Sequence, residues 1–144
     1  MAKKILSWLK KDDDKNIYWI YDKVENTGKM ALCEYITKIY SNVHIFDDAK
    51  CNKVYKQIVK GGFTPNICLF YLTREDAKLL HYEAITQCKD GIIYNSKNKT
   101  ISINLYFEPK VIVFSHSMPK FNKLHLEHWK IYTIKDNVLE KVDV

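Results

Sequence analysis

Short unbroken apolar runs alternate along this chain with longer stretches in which apolar residues recur every three or four positions. The unbroken runs suit strands covered on both faces, and the three-to-four spacing suits amphipathic helices. Strands are predicted at 17–21, 43–46, 67–71, 111–114 and 129–134, and helices at 4–11, 28–40, 48–59 and 75–88, with a short helical turn at 124–128. The inner stripes are Ala31, Leu32, Tyr35, Ile36 and Ile39 in the second helix, Val54, Tyr55 and Ile58 in the third, and Leu79, Leu80, Ala84 and Ile85 in the fourth. Gly61 and Gly62 stop the third helix, and Gly91 ends the fourth as a glycine just past the C-cap. Residues 92–103 read as a hairpin with Asn95, Ser96, Lys97, Asn98 and Lys99 at its tip. The alternation predicts one α/β domain over 1–144: a mostly parallel sheet of about five strands with helices on both faces. Ligands then belong at the carboxyl ends of the strands.

Composition narrows the class. The 144 residues are 47% hydrophobic and 28% charged, with 4 Gly and 3 Pro, which excludes collagen-like and broadly disordered chains. No apolar run approaches the ~18 residues of a membrane span. Lys3 and Lys4 precede Ile5, Leu6, Trp8 and Leu9, and Lys10 and Lys11 follow at once, so the start reads as an amphipathic helix and not a signal peptide. Asp12, Asp13 and Asp14 mark a solvated turn. An intracellular chain, in cytoplasm or nucleus, without a membrane partner, is expected. Cys33, Cys51, Cys68 and Cys88 are too far apart for a C-x-x-C pair and lie in or beside apolar segments, where free thiols behave as small hydrophobes. The net charge of +6 suits a polyanionic partner, yet nearly all of it is lysine, which an A/T-rich genome supplies without any binding purpose. Both explanations stand on composition.

The most informative stretch runs Trp19-Ile-Tyr-Asp-Lys-Val-Glu-Asn-Thr-Gly-Lys-Met30: a strand, a turn, and a helix opening at Gly28-Lys29. Amides at a helix N-terminus and an adjacent lysine can hold phosphate oxygens. The full motif G-x-x-x-x-G-K-[ST] would need glycine at Lys23 and a hydroxyl at Met30, so taken alone the stretch is an ordinary strand-to-helix turn.

Other segments add to it. Asp22-Lys-Val-Glu-Asn26-Thr-Gly28-Lys29 resembles D-x-x-G-N-x-G-K-[ST], and Ile67-Cys-Leu-Phe-Tyr-Leu-Thr-Arg74 resembles an apolar strand ending in D-L-S-R. Tyr82-Glu-Ala-Ile-Thr-Gln-Cys-Lys-Asp-Gly91 is similar to Y-x-x-I-E-Q-x-K-x-G. Pro109-Lys-Val-Ile-Val-Phe-Ser-His-Ser-Met-Pro119 is similar to P-H-V-I-V-F-A-N-F-x-P, and Leu124-His-Leu-Glu-His-Trp129 to L-S-x-D-R-W. In this order the blocks resemble the superfamily 3 helicase module, a P-loop NTPase, of the replication initiators of circular single-stranded DNA viruses. The nuclease domain that precedes the module in those initiators has no counterpart here, so a stand-alone or truncated copy is expected.

The resemblance implies a P-loop NTPase-like sheet, ATP-driven unwinding by a homo-oligomeric ring, and nucleotide held at Asn26, Thr27, Gly28 and Lys29. In such enzymes the loop hydroxyl and a strand-end aspartate hold Mg²⁺, and a neighbouring subunit's arginine stabilises the transition state. Here Met30 replaces the hydroxyl, Tyr71 the aspartate, His116 the sensor asparagine and His128 the arginine finger. Arg74, the only arginine, matches a different position, so none is left for the finger. Loss of a finger alone costs ~10³ to 10⁵ in rate. A degenerate core is therefore expected, with weak ATP binding at most, no Mg²⁺ and no catalytic residue intact. The resemblance also sets single-stranded nucleic acid against basic hairpins, here Lys89, Ser96, Lys97 and Lys99, although a solvated hairpin tip explains the same residues. The alternative function is a non-enzymatic module that binds nucleic acid or partner subunits. His125 and His128 read as surface histidines in preference to metal ligands, and Trp19, Tyr21, Tyr35 and Tyr40 as core.

Overall fold

The computed structural model describes residues 1–11, 15–22, 28–72, 82–95, 102–105, 107–120 and 128–143. Its elements run α1 (Ala2–Leu9), β1 (Ile17–Tyr21), α2 (Lys29–Ile39), β2 (Val43–Phe46), α3 (Cys51–Gly61), β3 (Ile67–Leu72), α4 (Tyr82–Asp90), β4 (Ile92–Tyr94), β5 (Ser102–Asn104), β6 (Lys110–Ser115), β7 (Trp129–Lys135) and β8 (Val138–Lys141). Six strands form one sheet in the order β2-β3-β6-β1-β7-β8. The first five are mutually parallel, and β8 returns antiparallel to β7. The mostly parallel α/β architecture is thus as the sequence predicts. The sixth strand is additional: Asp136 and Asn137, both at positive φ, make a two-residue hairpin turn that carries the chain back along β7.

Strand alternation divides the core into two layers. Tyr18 and Ile20 of β1, Leu69 of β3 and Phe114 of β6 pack with Ile5 and Trp8 of α1 and Leu32, Cys33 and Ile36 of α2. Trp19, Phe70 and Val113 face the other way, against Val54 and Ile58 of α3 and Ala84, Ile85 and Cys88 of α4. Helices therefore cover both faces. The arrangement follows from right-handed crossovers: the step from β1 to β2 runs one way along the sheet, and the steps from β2 to β3 and β3 to β6 run back, so their helices fall on opposite faces.

Some stripes differ from the pattern. The buried positions of α2 are Lys29, Leu32, Cys33 and Ile36, whereas Tyr35 is 50% exposed, so the core assignment of Tyr35 is corrected. Burial of Lys29 and of the small Cys33 turns the inner face away from Tyr35 and Ile39. Trp19 is buried, and Tyr21 and Tyr40 are partly buried, as expected of core aromatics. Leu79, Leu80 and the turn at 124–127 lie outside the described residues.

Gly62 caps α3 at φ 71, one residue later than the first glycine of the pair. Gly91 closes α4 at φ 81, where a Cβ would stand 2.5 Å from the Phe107 carbonyl oxygen, so side chains are excluded both by conformation and by space. Beyond it β4 and β5 pair antiparallel, which forms the base of the expected hairpin. Three of the cysteines are buried and Cys51 is partly so, all as free thiols. Burial, with a smaller contribution from Glu34, pushes the Cys33 thiol up to about 12. The hydrogen bond with Cys68, reinforced by burial, raises Cys88 well above the usual range.

His44 of β2 is buried between Phe46 and Phe63, with ring centroids 5.5 and 4.4 Å away. Burial holds its imidazole below the ordinary histidine range. The unfolded chain then takes up the proton first as pH falls, so stability is fully present above about pH 6.5 and declines as pH drops toward the folded value. Urea denaturation between about pH 5 and 7 should show this slope, and His44→Phe should flatten it. An unchanged slope in the variant would contradict the assignment.

Candidate functional site at the carboxyl end of the sheet

The chain leaves the carboxyl end of β1 toward β2 and the carboxyl end of its neighbour β6 in the opposite direction, toward β7. Adjacent strands whose connections diverge in this way leave a crevice at their carboxyl ends, the usual ligand position in an open α/β sheet. Asp22 follows β1 there, and its backbone N–H donates to the Ser115 carbonyl at 2.9 Å. The Ser115 hydroxyl accepts the Ser117 amide at 3.1 Å, and the Trp19 indole donates to the Ser117 carbonyl at 3.1 Å. These bonds fix the end of β6 beside β1.

Gly28 opens α2 in a left-handed conformation, φ 85, and has no side chain with which to cap it. The next residue, Lys29, turns inward. Its Nζ donates to Asp22 Oδ2 at 2.8 Å, and both side chains are only 3% exposed. The strand-turn-helix path thus brings the ammonium expected to hold phosphate back onto the residue that ends β1. A charge-assisted bond between buried groups is strong, and either charge left alone there is costly.

The other sequence-predicted positions are distributed unevenly. Tyr71, near the end of β3, is level with Phe114 and partly buried, with ring centroids 6.3 Å apart. His116 follows β6 in the same region, its amide 3.4 Å from the Leu72 carbonyl. Met30 is 41% exposed. His128 stands just before β7, at the opposite end of the sheet from Lys29, with the length of β1 between them, roughly 15 Å at ~3.3 Å per residue. The structure therefore brings Lys29, Tyr71 and His116 to one end and not His128. Asn26, Thr27, Ser96, Lys97, Lys99 and His125 lie outside the described residues.

Lys89 requires a correction. It was expected as a phosphate-binding lysine beside the hairpin, but it is buried, and its Nζ donates to the Pro109 carbonyl at 3.1 Å. In the last turn of α4 its charge also suits the helix dipole, so it ties α4 to the start of β6 and does not face a ligand.

These residues do not fit a magnesium nucleotide. A phosphate at Lys29 would have to displace or share the ammonium with Asp22, and like unit charges ~4 Å apart repel by roughly 4 kcal/mol near a protein surface. For the metal, Tyr71 and the Met30 thioether offer poor donors to a hard cation. Among the described residues no three His, Cys, Asp or Glu side chains are grouped to hold one. The functional residue that sequence reasoning left without a role is Asp22, quoted only as part of a motif. Its signal was a carboxylate at the strand end, seven positions before the lysine. Compared with known protein families, curated proteins and solved structures, the chain has no match.

Removing one partner of a buried pair costs about 3–5 kcal/mol, whereas apolar replacement of both is often neutral. Asp22→Ala and Lys29→Met should each lower stability by about that amount. The double variant should lose much less than their sum. Chemical denaturation in a double-mutant cycle checks this, and additive losses would count against the pair.

Proposed function

We propose that this chain is a degenerate superfamily 3 helicase-like domain of the P-loop NTPase type, akin to the helicase module of circular single-stranded DNA virus initiators, that no longer turns over ATP. The observation that carries the reading is the buried Lys29–Asp22 pair: the lysine is where a phosphate-loop lysine belongs, at the carboxyl end of a central parallel strand, but its charge is taken up by the chain itself. The tyrosine at 71, the methionine at 30 and the lack of any arginine besides Arg74 support the same reading. ATP hydrolysis needs charge stabilisation at each of those positions. Phosphate release from magnesium-ATP and displacement of a paired strand should both stay at background, with Lys29→Ala indistinguishable from the natural chain. Magnesium-dependent release that disappears in Lys29→Ala would overturn the proposal.

In this reading the domain acts by binding, to single-stranded nucleic acid or to further subunits in a ring. The net charge of +6 favours the nucleic acid. With Lys89 buried, Lys97 and Lys99 are the lysines that remain for this role. Lysine–phosphate contacts release counterions, so affinity for a labelled single strand should fall steeply with salt. It should also weaken in the Lys97→Ala, Lys99→Ala double variant. Binding that ignores both would exclude the hairpin.

A further inference from the structure

A buried ion pair is a weak way to stabilise a fold, since apolar residues of similar size often do as well or better. This pair also sits in the crevice where an open α/β sheet receives ligands, next to a helix start that Gly28 leaves without a side-chain cap. Asp22 is held in place from its own backbone by the Ser115 carbonyl, so the carboxylate is positioned independently of Lys29. We propose that Asp22 is an autoinhibitory residue: its carboxylate serves Lys29 as a built-in anion and so keeps a diphosphate group out of this crevice. The inference rests on the reading of Lys29 as a phosphate-loop lysine. Neutralising Asp22 while keeping its shape leaves Lys29 buried with a positive charge to satisfy, and an incoming diphosphate supplies the missing negative charge.

The test compares the natural chain, Asp22→Asn, Asp22→Glu and the Asp22→Asn, Lys29→Met double variant, each titrated with inorganic pyrophosphate against sodium chloride of matched ionic strength. Thermal unfolding and calorimetry are read together. Asp22→Asn should bind pyrophosphate at least about tenfold more tightly than the natural chain, with a Tm that climbs as pyrophosphate rises. Asp22→Glu and the double variant should not respond. If Asp22→Asn folds only when pyrophosphate is present, the proposal holds. If it stays unfolded with pyrophosphate while the double variant folds, or folds without responding, the pair is purely structural and the proposal fails. Equal pyrophosphate binding by the natural chain and Asp22→Asn also overturns it. None of these failures makes the domain an ATPase; that reading falls only if the natural chain hydrolyses magnesium-ATP.

Discussion

A lysine and an aspartate, both almost wholly withdrawn from water, cannot be left as separate charges. Lys29 and Asp22 solve this by meeting at 2.8 Å, and the meeting constrains the chain around them. It fixes the start of α2 over the end of β1, which turns Leu32, Cys33 and Ile36 onto the sheet and leaves Tyr35 outside. Because β1 lies at the centre of the sheet, between β6 and β7, the position of this one helix start sets the carboxyl edge of the whole layer.

The sheet places a crevice at that edge, but charge determines what the crevice can hold. An anion-binding site needs positive charge that is not already compensated, together with donors aimed at the ligand. Here the cation carries its own counterion. The neighbouring positions offer a phenol, a thioether and an imidazole where a metal-dependent phosphoryl-transfer site would have an aspartate, a hydroxyl and an asparagine. The basic character of the chain is likewise less available than its total suggests, since Lys29 and Lys89 are both buried on internal acceptors.

Much of this architecture was legible in the sequence. Apolar runs such as Ile17 to Tyr21 allow little but a strand covered on both faces, and the five parallel strands follow from them. Gly91 announced the end of α4, because a left-handed residue against a carbonyl admits no side chain. β8 escaped the pattern because only Leu139 is buried on it, so its apolar signal is faint, although Asp136-Asn137 is a hairpin turn in composition. The face of α2 was misread around Tyr35 for a physical reason: helical spacing treats a lysine as outward, and Lys29 is inward only because a carboxylate awaits it. Lys89 was misread in the same way. Periodicity carries the apolar core; it does not report when a charge will be buried against a partner brought close by the fold.

The central claim is that Lys29 stays with Asp22 even when a nucleotide is offered. The direct measurement is the nuclear magnetic resonance signal of the Lys29 side-chain ammonium, followed together with the Asp22 carboxyl carbon during titration with magnesium-ATP. The account predicts that both signals remain where they are in the free protein up to high nucleotide concentration. A saturating shift of the Lys29 ammonium, with a matching change at Asp22, would show the pair opening for phosphate and would contradict it.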